Sequence, residues 1–292
     1  MGQRQITRDI SYATSARTRP GRAVIRVLEN VTGRLSLIRQ AEGYDREVAL
    51  GHSFWDVIVR RYGLSLDVVG GSLGHIPANG PLILIANHPY GILDGLMMGY
   101  LLDRVRGDFR ILANSVFRRA EELNRVILPI SFDATKEAMK LNLDTRQQAL
   151  TYLGQGGAIG VFPGGTVSTS ARPFSRPMDP GWRNFTAKMI QKSDATVVPV
   201  FFDGHNSRLF QLASHVHSTL RLGLLIKEFR ARVGEPVRIV IGEPIASTAL
   251  APLKRDPSAM MEFLRRATYD LSPDPRKSYD LGYEFEEKYR AQ

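Results

Sequence analysis

Residues 82–95, Leu-Ile-Leu-Ile-Ala-Asn-His-Pro-Tyr-Gly-Ile-Leu-Asp-Gly, confine this 292-residue chain to a small set of folds. Four consecutive apolar residues, Leu82, Ile83, Leu84 and Ile85, follow Gly80-Pro81 and predict a buried strand. Pro89 and Gly91 then forbid regular structure. Beyond Asp94, apolar residues recur at helical spacing, and Asp94 is placed to cap that helix. A buried strand that feeds a loop and then a helix is the repeating unit of an open α/β sheet. In such sheets ligands bind at the carboxyl ends of the strands, and His88 falls at one of those ends.

A histidine and a carboxylate brought together there have the chemistry of a general base and its orienting partner. Taken alone, the pair reads equally well as a hydrogen-bonded structural histidine and an ordinary helix cap, because one His–Asp spacing is weak evidence.

Composition narrows the class. A hydrophobic content of 43% and a charged content of 23% describe a globular chain, long enough for one large α/β domain or two modest ones. The chain has no cysteine, which excludes disulfides, thiol nucleophiles and thiolate metal sites. No apolar run approaches the roughly 18 residues of a spanning helix. The first residues lack the apolar core of a signal peptide. The net charge of +10 favours an anionic partner. No helix-turn-helix, zinc-finger or RNA-recognition signature points to nucleic acid, and an anionic membrane surface is the expected partner.

Much of the positive charge comes early, with eight arginines in the first 40 residues against Asp9 and Glu29. From Arg22 onward, apolar residues recur at helical spacing with arginines between them. That is the pattern of a basic amphipathic helix on a bilayer, or of a core-packed helix with a solvated arginine face. Gly33 weakens its continuity. Residues 1–62 therefore read as a basic helical segment packed on the core or the membrane, with a helix over 53–62. Residues 63–292 read as the α/β domain.

Within that domain, residues 64–69 alternate as a strand does and lead into Gly70-Gly71-Ser72-Leu73-Gly74. This matches the G-x-S-x-G elbow of serine hydrolases, but the elbow needs a helix directly after its serine. His75-Ile76-Pro77 opens a turn-rich loop instead, so the segment reads as a connection between strands. The pattern further predicts strands over 109–113, from Ala158, over 196–202 and over 237–241. Helices are predicted through Asn124, over 136–153 and over 181–192, and residues 257–292 have a mixed-charge helical pattern. A basic loop with Arg172, Arg176 and Arg183 reads equally well as a binding element for a headgroup or the phosphopantetheine end of an acyl donor and as a solvated surface.

Asn87-His88 followed by Asp94 resembles the first motif of the lysophospholipid acyltransferase (PlsC-like) superfamily. Five residues separate His from Asp where four are common, and some relatives that acylate aminolipids are similar to this longer form. Phe162-Pro163-Gly164-Gly165-Thr166-Val167-Ser168 resembles the third motif, usually Phe-Pro-Glu-Gly-Thr-Arg-Ser. Gly164 stands where Glu is common, and Val167 where a basic residue is common. Arg118, after Phe117, is the nearest match to the arginine of the second motif, and the apolar strand around Pro199 is similar to the fourth.

The resemblance implies a PlsC-like α/β fold with a mixed, mostly parallel sheet flanked by helices. It implies an enzyme that moves a fatty acyl chain from acyl-carrier protein or coenzyme A to the hydroxyl of a lyso-lipid, with no cofactor and no metal. His88 is then the base, Asp94 its partner, and backbone amides near Gly164 and Gly165 the oxyanion donors. Asn87, Arg118, Gly164, Gly165, Thr166, Ser168, Asn206 and Arg208 are the candidate substrate-binding residues. The departures at Gly164 and Val167 favour a lyso-aminolipid acceptor with an ornithine or glutamine headgroup. Lysophosphatidic acid is the alternative acceptor, and an inactive membrane-binding protein of the same fold the alternative function. The expected location is peripheral, on the cytoplasmic face of the inner membrane. An apolar tunnel ending at His88 is expected as well.

Overall fold

A computed structural model describes residues 11–13, 16, 18–114, 121–131, 135–274 and 278–286. Its strands are β1 (Ser65–Gly70), β2 (Leu82–Ala86), β3 (Arg110–Asn114), β4 (Ile127–Ile130), β5 (Ala158–Val161), β6 (Thr169–Ser170), β7 (Pro177–Met178), β8 (Thr196–Phe202) and β9 (Pro236–Ile241). Its α-helices are α1 (Arg19–Thr32), α2 (Arg34–Ala41), α3 (Tyr44–Ala49), α4 (Phe54–Arg61), α5 (Ile92–Arg106), α6 (Glu121–Val126), α7 (Lys136–Gly154), α8 (Asn184–Gln191), α9 (Arg208–Val216), α10 (Ser218–Arg230) and α11 (Pro257–Tyr269).

The apolar run that dominates the sequence becomes the central strand. Among the described residues the main sheet has seven strands in the order β1-β9-β8-β2-β5-β3-β4, with β6 and β7 pairing separately. Neighbours in the main sheet run parallel except β8 and β9, which are antiparallel. The architecture is thus the mixed, mostly parallel α/β sheet expected. Every residue of β2 is buried. Leu82, Leu84 and Ala86 pack into the layer that holds α4 and α5, while Ile83 and Ile85 pack into the layer that holds α7, α8 and α11. A strand covered on both faces leaves no room for the polar alternation of a half-exposed strand. Because β2 is parallel to both β5 and β8, the carboxyl ends of three adjacent strands open at one edge.

Several elements differ from the sequence expectation, each for a local reason. The helix after β2 begins at Ile92, with Gly91 as its N-cap at φ 87°. A Cβ on Gly91 would lie 3.2 Å from Val167 Cγ2 and 3.3 Å from Leu225 Cδ2, so both backbone and space require glycine. β4, in the apolar run Val126-Ile127-Leu128-Pro129-Ile130, is not among the predicted strands; Pro129 argues against a central strand and is tolerated because β4 lies at the sheet's edge. The helical pattern at the carboxyl end stops at α11, where Ser272-Pro273 disfavours continuation. The extended backbone beyond it pairs with the site loops, Gly282 N–H donating to Asp179 O at 2.8 Å and Tyr283 N–H to Thr169 O at 3.0 Å. No helix follows Ser72, and residues 73–75 form a short 3-10 turn, as a connection requires.

The amino-terminal helix breaks at Gly33, φ 129°, into α1 and α2. α1 packs on α10 and buries Ile25 together with Glu29, which accepts from Ser11 Oγ and Tyr12 N–H at 2.6 Å each. Its valines face outward: Val27 is 61% and Val31 80% exposed. No described helix is long and apolar enough to cross a membrane.

α5 carries Asp94, and its position on the sheet depends on two close approaches. A Cβ on Gly160 of β5 would come within 2.9 Å of Met98, and one on Gly99 within 2.1 Å of the Trp55 ring. Gly99→Ala is therefore expected to lower stability by about 1–3 kcal/mol, overpacking outweighing the helix propensity gained. Thermal denaturation checks this, and Trp55→Leu in the same chain should recover part of the loss.

Candidate active site

The loop leaving β2 is held from both sides. Asn87, 2% exposed, donates through Nδ2 to Phe202 O at 2.9 Å and accepts from Phe202 N–H at 2.7 Å. Its amide therefore locks the end of β2 to β8, and it positions the next residue rather than binding substrate. His88 follows, its ring stacked on Phe162 at 4.3 Å between centroids. Phe162 is the first residue after β5, so two strand ends place the imidazole.

His88 Nδ1 donates to Asp94 Oδ2 at 2.9 Å. The same oxygen accepts from the backbone N–H groups of Tyr90 at 2.7 Å and Gly91 at 2.9 Å. Asp94 is the third residue of α5, and it bonds back to the N-cap N–H as the acidic half of a capping box does. Cap and imidazole partner are thus one oxygen. The carboxylate is fully buried, and its Oδ1 has no partner among the described residues. Burial pushes the Asp94 carboxyl above the ordinary range, opposed by the His88 hydrogen bond and the two backbone donors. A carboxylate only accepts, so Nδ1 carries the proton and Nε2 keeps its lone pair. The ring is 18% exposed, which leaves that lone pair reachable.

The Phe162–Ser168 loop is built differently from its sequence expectation. Gly165 N–H closes a turn onto Phe162 O at 3.0 Å, so it is not free to bind an oxyanion. Ser168 is buried and gives its hydroxyl proton to Asp179 Oδ1, while its N–H donates to His88 O at 2.8 Å. Ser168 braces the catalytic loop instead of meeting a headgroup. Thr166 accepts from Arg221 at 2.9 Å. Arg118 lies outside the described residues. Of the basic loop, Arg176 pairs with Asp274 at 2.8 Å and Arg183 with Glu284 at 2.8 Å, so both charges are spent within the fold.

Two residues that sequence reasoning passed over complete the loop. Asp179, fully buried, accepts from His88 N–H at 3.2 Å and from Ser168 with one oxygen, and from Trp182 Nε1 at 2.9 Å with the other. A Cβ on Gly164 would lie 3.2 Å from Asp179 Cβ, so this carboxylate occupies the space a longer side chain at 164 would fill. Arg221 of α10 reaches Val167 O at 3.0 Å and stacks 4.3 Å from the Phe285 ring centroid. Burial pulls its guanidinium pKa down. The acidic and basic groups missing at 164 and 167 thus return from 15 and 54 residues away. Those two gaps in the motif were the available signal. Tyr12, held by Glu29, also reaches this region, and burial pushes its phenol up.

A cavity of about 210 Å³ abuts the loop, walled by Asn87, Pro89 and Ser168 among others. A second, about 430 Å³, contains Asn206 and Arg208 and shares Arg176, Pro177, His205 and Asp274 with the first. The smaller is mainly polar and the larger about evenly polar and apolar, because the loops after β5 and β8 contribute charged and amide side chains beside Phe174 and two prolines. Asn206 and Arg208 are therefore together, but apart from the imidazole.

A profile of the acyltransferase family matches residues 48–279. The chain belongs to the acyltransferase family. It is similar to the lyso-glycine lipid O-acyltransferase of Phocaeicola vulgatus, 24% identical over 235 residues, which cover 78% of this chain and 80% of that protein. The lyso-glycine lipid O-acyltransferase of Bacteroides thetaiotaomicron is also 24% identical, over 76% of this chain and 80% of its own. Among solved structures it is similar to the 1-acyl-sn-glycerophosphate (LPA) acyltransferase PlsC from Thermotoga maritima. That likeness has a TM-score of 0.45 and 16% identity, and covers 87% of this chain and 96% of the other. The resemblance of the His88 and Phe162 motifs to this superfamily, aminolipid branch included, is borne out.

In this acyltransferase Asp94 has a structural and an electrostatic task that substitution separates. Asp94→Asn keeps an oxygen for the backbone donors and is expected to hold stability within about 1 kcal/mol while slowing turnover about 100-fold or more. Asp94→Ala leaves two buried N–H groups unpaired and should cost about 1–3 kcal/mol for each. Thermal denaturation and thioester consumption, measured on the same samples, check both.

Proposed function

We propose that this acyltransferase carries a fatty acyl chain from an acyl thioester to the hydroxyl of a lyso-aminolipid. The observation that carries the reading is the His88–Asp94 contact of 2.9 Å at the open edge of the sheet. His88 Nε2 takes the acceptor's hydroxyl proton as the alkoxide attacks the thioester carbonyl. The tetrahedral intermediate then collapses, the C–S bond breaks, and the imidazolium returns its proton to the leaving thiolate. Buried Asp94 stabilises that imidazolium and fixes its orientation. Acyl-carrier protein and coenzyme A both present such a thioester, and both are anionic, which suits a basic surface.

Two lines support an aminolipid acceptor over a phosphate-bearing one. The similar bacterial proteins are named for lyso-glycine lipid, which places glycine beside the ornithine and glutamine headgroups first expected. In addition, the cation that replaces the missing base at Val167, Arg221, is 8% exposed and already bonded to the loop. A dianionic phosphate needs accessible cations. The alternative of an inactive protein of this fold requires the imidazole and carboxylate to be apart, and their contact supports the enzyme.

Thioester consumption by the purified protein tests this with lyso-glycine lipid, lyso-ornithine lipid and lysophosphatidic acid in parallel. Turnover is expected with one or both aminolipids, falling about 100- to 10,000-fold in His88→Ala. Turnover with lysophosphatidic acid alone overturns the acceptor assignment and keeps the base.

A lipid acceptor implies that the enzyme works at a membrane surface, and α1 supports peripheral attachment. Val24, Val27 and Val31 lie exposed on one side of the helix, Leu35 follows on α2, and Arg19 and Arg22 are exposed at its amino-terminal end. Valines that enter the acyl boundary beside arginines that meet anionic headgroups make an interfacial helix. Co-sedimentation should therefore favour anionic phosphatidylglycerol vesicles over neutral phosphatidylcholine. Val27→Asp with Val31→Asp should weaken it roughly tenfold or more, since each substitution removes apolar burial and adds a repelled charge. Undiminished binding would remove α1 as the anchor.

A further inference from the structure

The larger cavity at the open edge has a wall whose hydrogen-bonding capacity the fold does not use. Gln211 is 3% exposed, and its Oε1 accepts from Ser170 N–H at 2.9 Å. That bond orients the amide, because only the oxygen accepts, and leaves Nε2 with no acceptor. Asn206 is 2% exposed, and its Nδ2 likewise has none. Buried amide N–H groups are nearly always paired, so two idle ones on residues that line one cavity point to a missing acceptor there.

We propose that this cavity binds the carboxylate of an N-acyl amino acid headgroup, with Arg208 as counter-ion and the Gln211 and Asn206 amides as donors. The proposal rests on the reading of the acceptor as a lyso-aminolipid and names the part of it that is recognised. Charge bookkeeping favours a carboxylate. Arg176 is matched by Asp274 across 2.8 Å, and in the adjoining cavity Asp203 is matched by Arg238 across 2.9 Å. Arg208 also lines the larger cavity and pairs with no carboxylate among the described residues. One cation with two neutral donors suits a single negative charge, whereas a phosphate monoester carries nearly two. Arg208 opens α9, where the positive end of the helix adds to the same field.

The surroundings suit an amphiphile. Phe174 lines the cavity while 84% exposed, and Leu209 and Leu212 lie exposed on α9 beside Arg208 and Gln211. The wall shared with the smaller cavity leads toward Asn87 and Pro89, the neighbours of His88. An acceptor held by its carboxylate therefore has a path to the base.

Binding and turnover test this separately. N-dodecanoylglycine and N-dodecanoylglycinamide lack the reacting hydroxyl and differ only in the charge, and their affinities for the full chain are measured by calorimetry. The acid is expected to bind roughly tenfold or more tightly, the scale of one charge-assisted hydrogen bond. Arg208→Gln, on an exposed residue, should erase most of that preference. With the hydroxylated acceptor it should raise KM by a similar factor and leave kcat near the wild-type value. Gln211→Leu, checked for folding by thermal denaturation, should weaken the acid and not the amide. Equal affinity for acid and amide, or a preference that survives Arg208→Gln, overturns the carboxylate site, even if acyl transfer to aminolipids is observed. A preference that depends on Arg208, in a protein that acylates no aminolipid, upholds the site and overturns the acceptor's role in the reaction.

Discussion

One buried carboxylate oxygen organises this protein. Asp94 Oδ2 accepts hydrogen bonds from the His88 ring and from the two backbone N–H groups, of Tyr90 and Gly91, that precede α5. It ties the strand end, the loop and the helix into a single unit. Burying a charge that way is costly, and the pKa of Asp94 is raised accordingly. Three donors on one oxygen offset the cost only while the loop keeps its shape. Gly91, unable to bear a side chain beside Val167 and Leu225, keeps that shape.

The second loop shows how a motif can be redistributed through a fold. Where the third motif that this loop resembles has an acidic and a basic residue three positions apart, this chain has Gly164 and Val167. Asp179 and Arg221 bring the two charges back from outside the motif, and both are buried and bonded to the loop. Charges held in this way brace the backbone and leave little for a ligand. The unpaired donors lie further along, on Asn206 and Gln211 beside Arg208, while this loop holds His88 in place through Ser168 and Asp179. The carboxyl-terminal segment belongs to the same brace, since Gly282 and Tyr283 bond to Asp179 and Thr169.

The amino-terminal segment shows a comparable inversion. Its arginines dominate the sequence, yet among the described residues its most deeply buried charge is Glu29, which anchors Tyr12. The valines that a helical pattern assigns to a core face outward instead. α1 has two apolar stripes, and α10 can cover only the one containing Ile25.

Local chemistry was legible in the sequence wherever it depended on neighbours in the chain. The buried run at 82–85, the glycine and proline breaks, the helices and the His88–Asp94 pair follow from periodicity, backbone restriction and short spacing. The base and its partner lie within one turn of structure, so their spacing sufficed. Asn87, Gly165 and Ser168 belong to the right loops, but their hydrogen bonds go to distant partners that no local pattern reveals. β4 escaped notice because Pro129 interrupts its apolar run, which only an edge strand tolerates. The sequence by itself determined the α/β class, the family motif and the pairing of His88 with Asp94. Only the tertiary structure decided that Asp179 and Arg221 complete the site and that two amides beside Arg208 stand unpaired, because parallel strands bring together residues that are far apart along the chain.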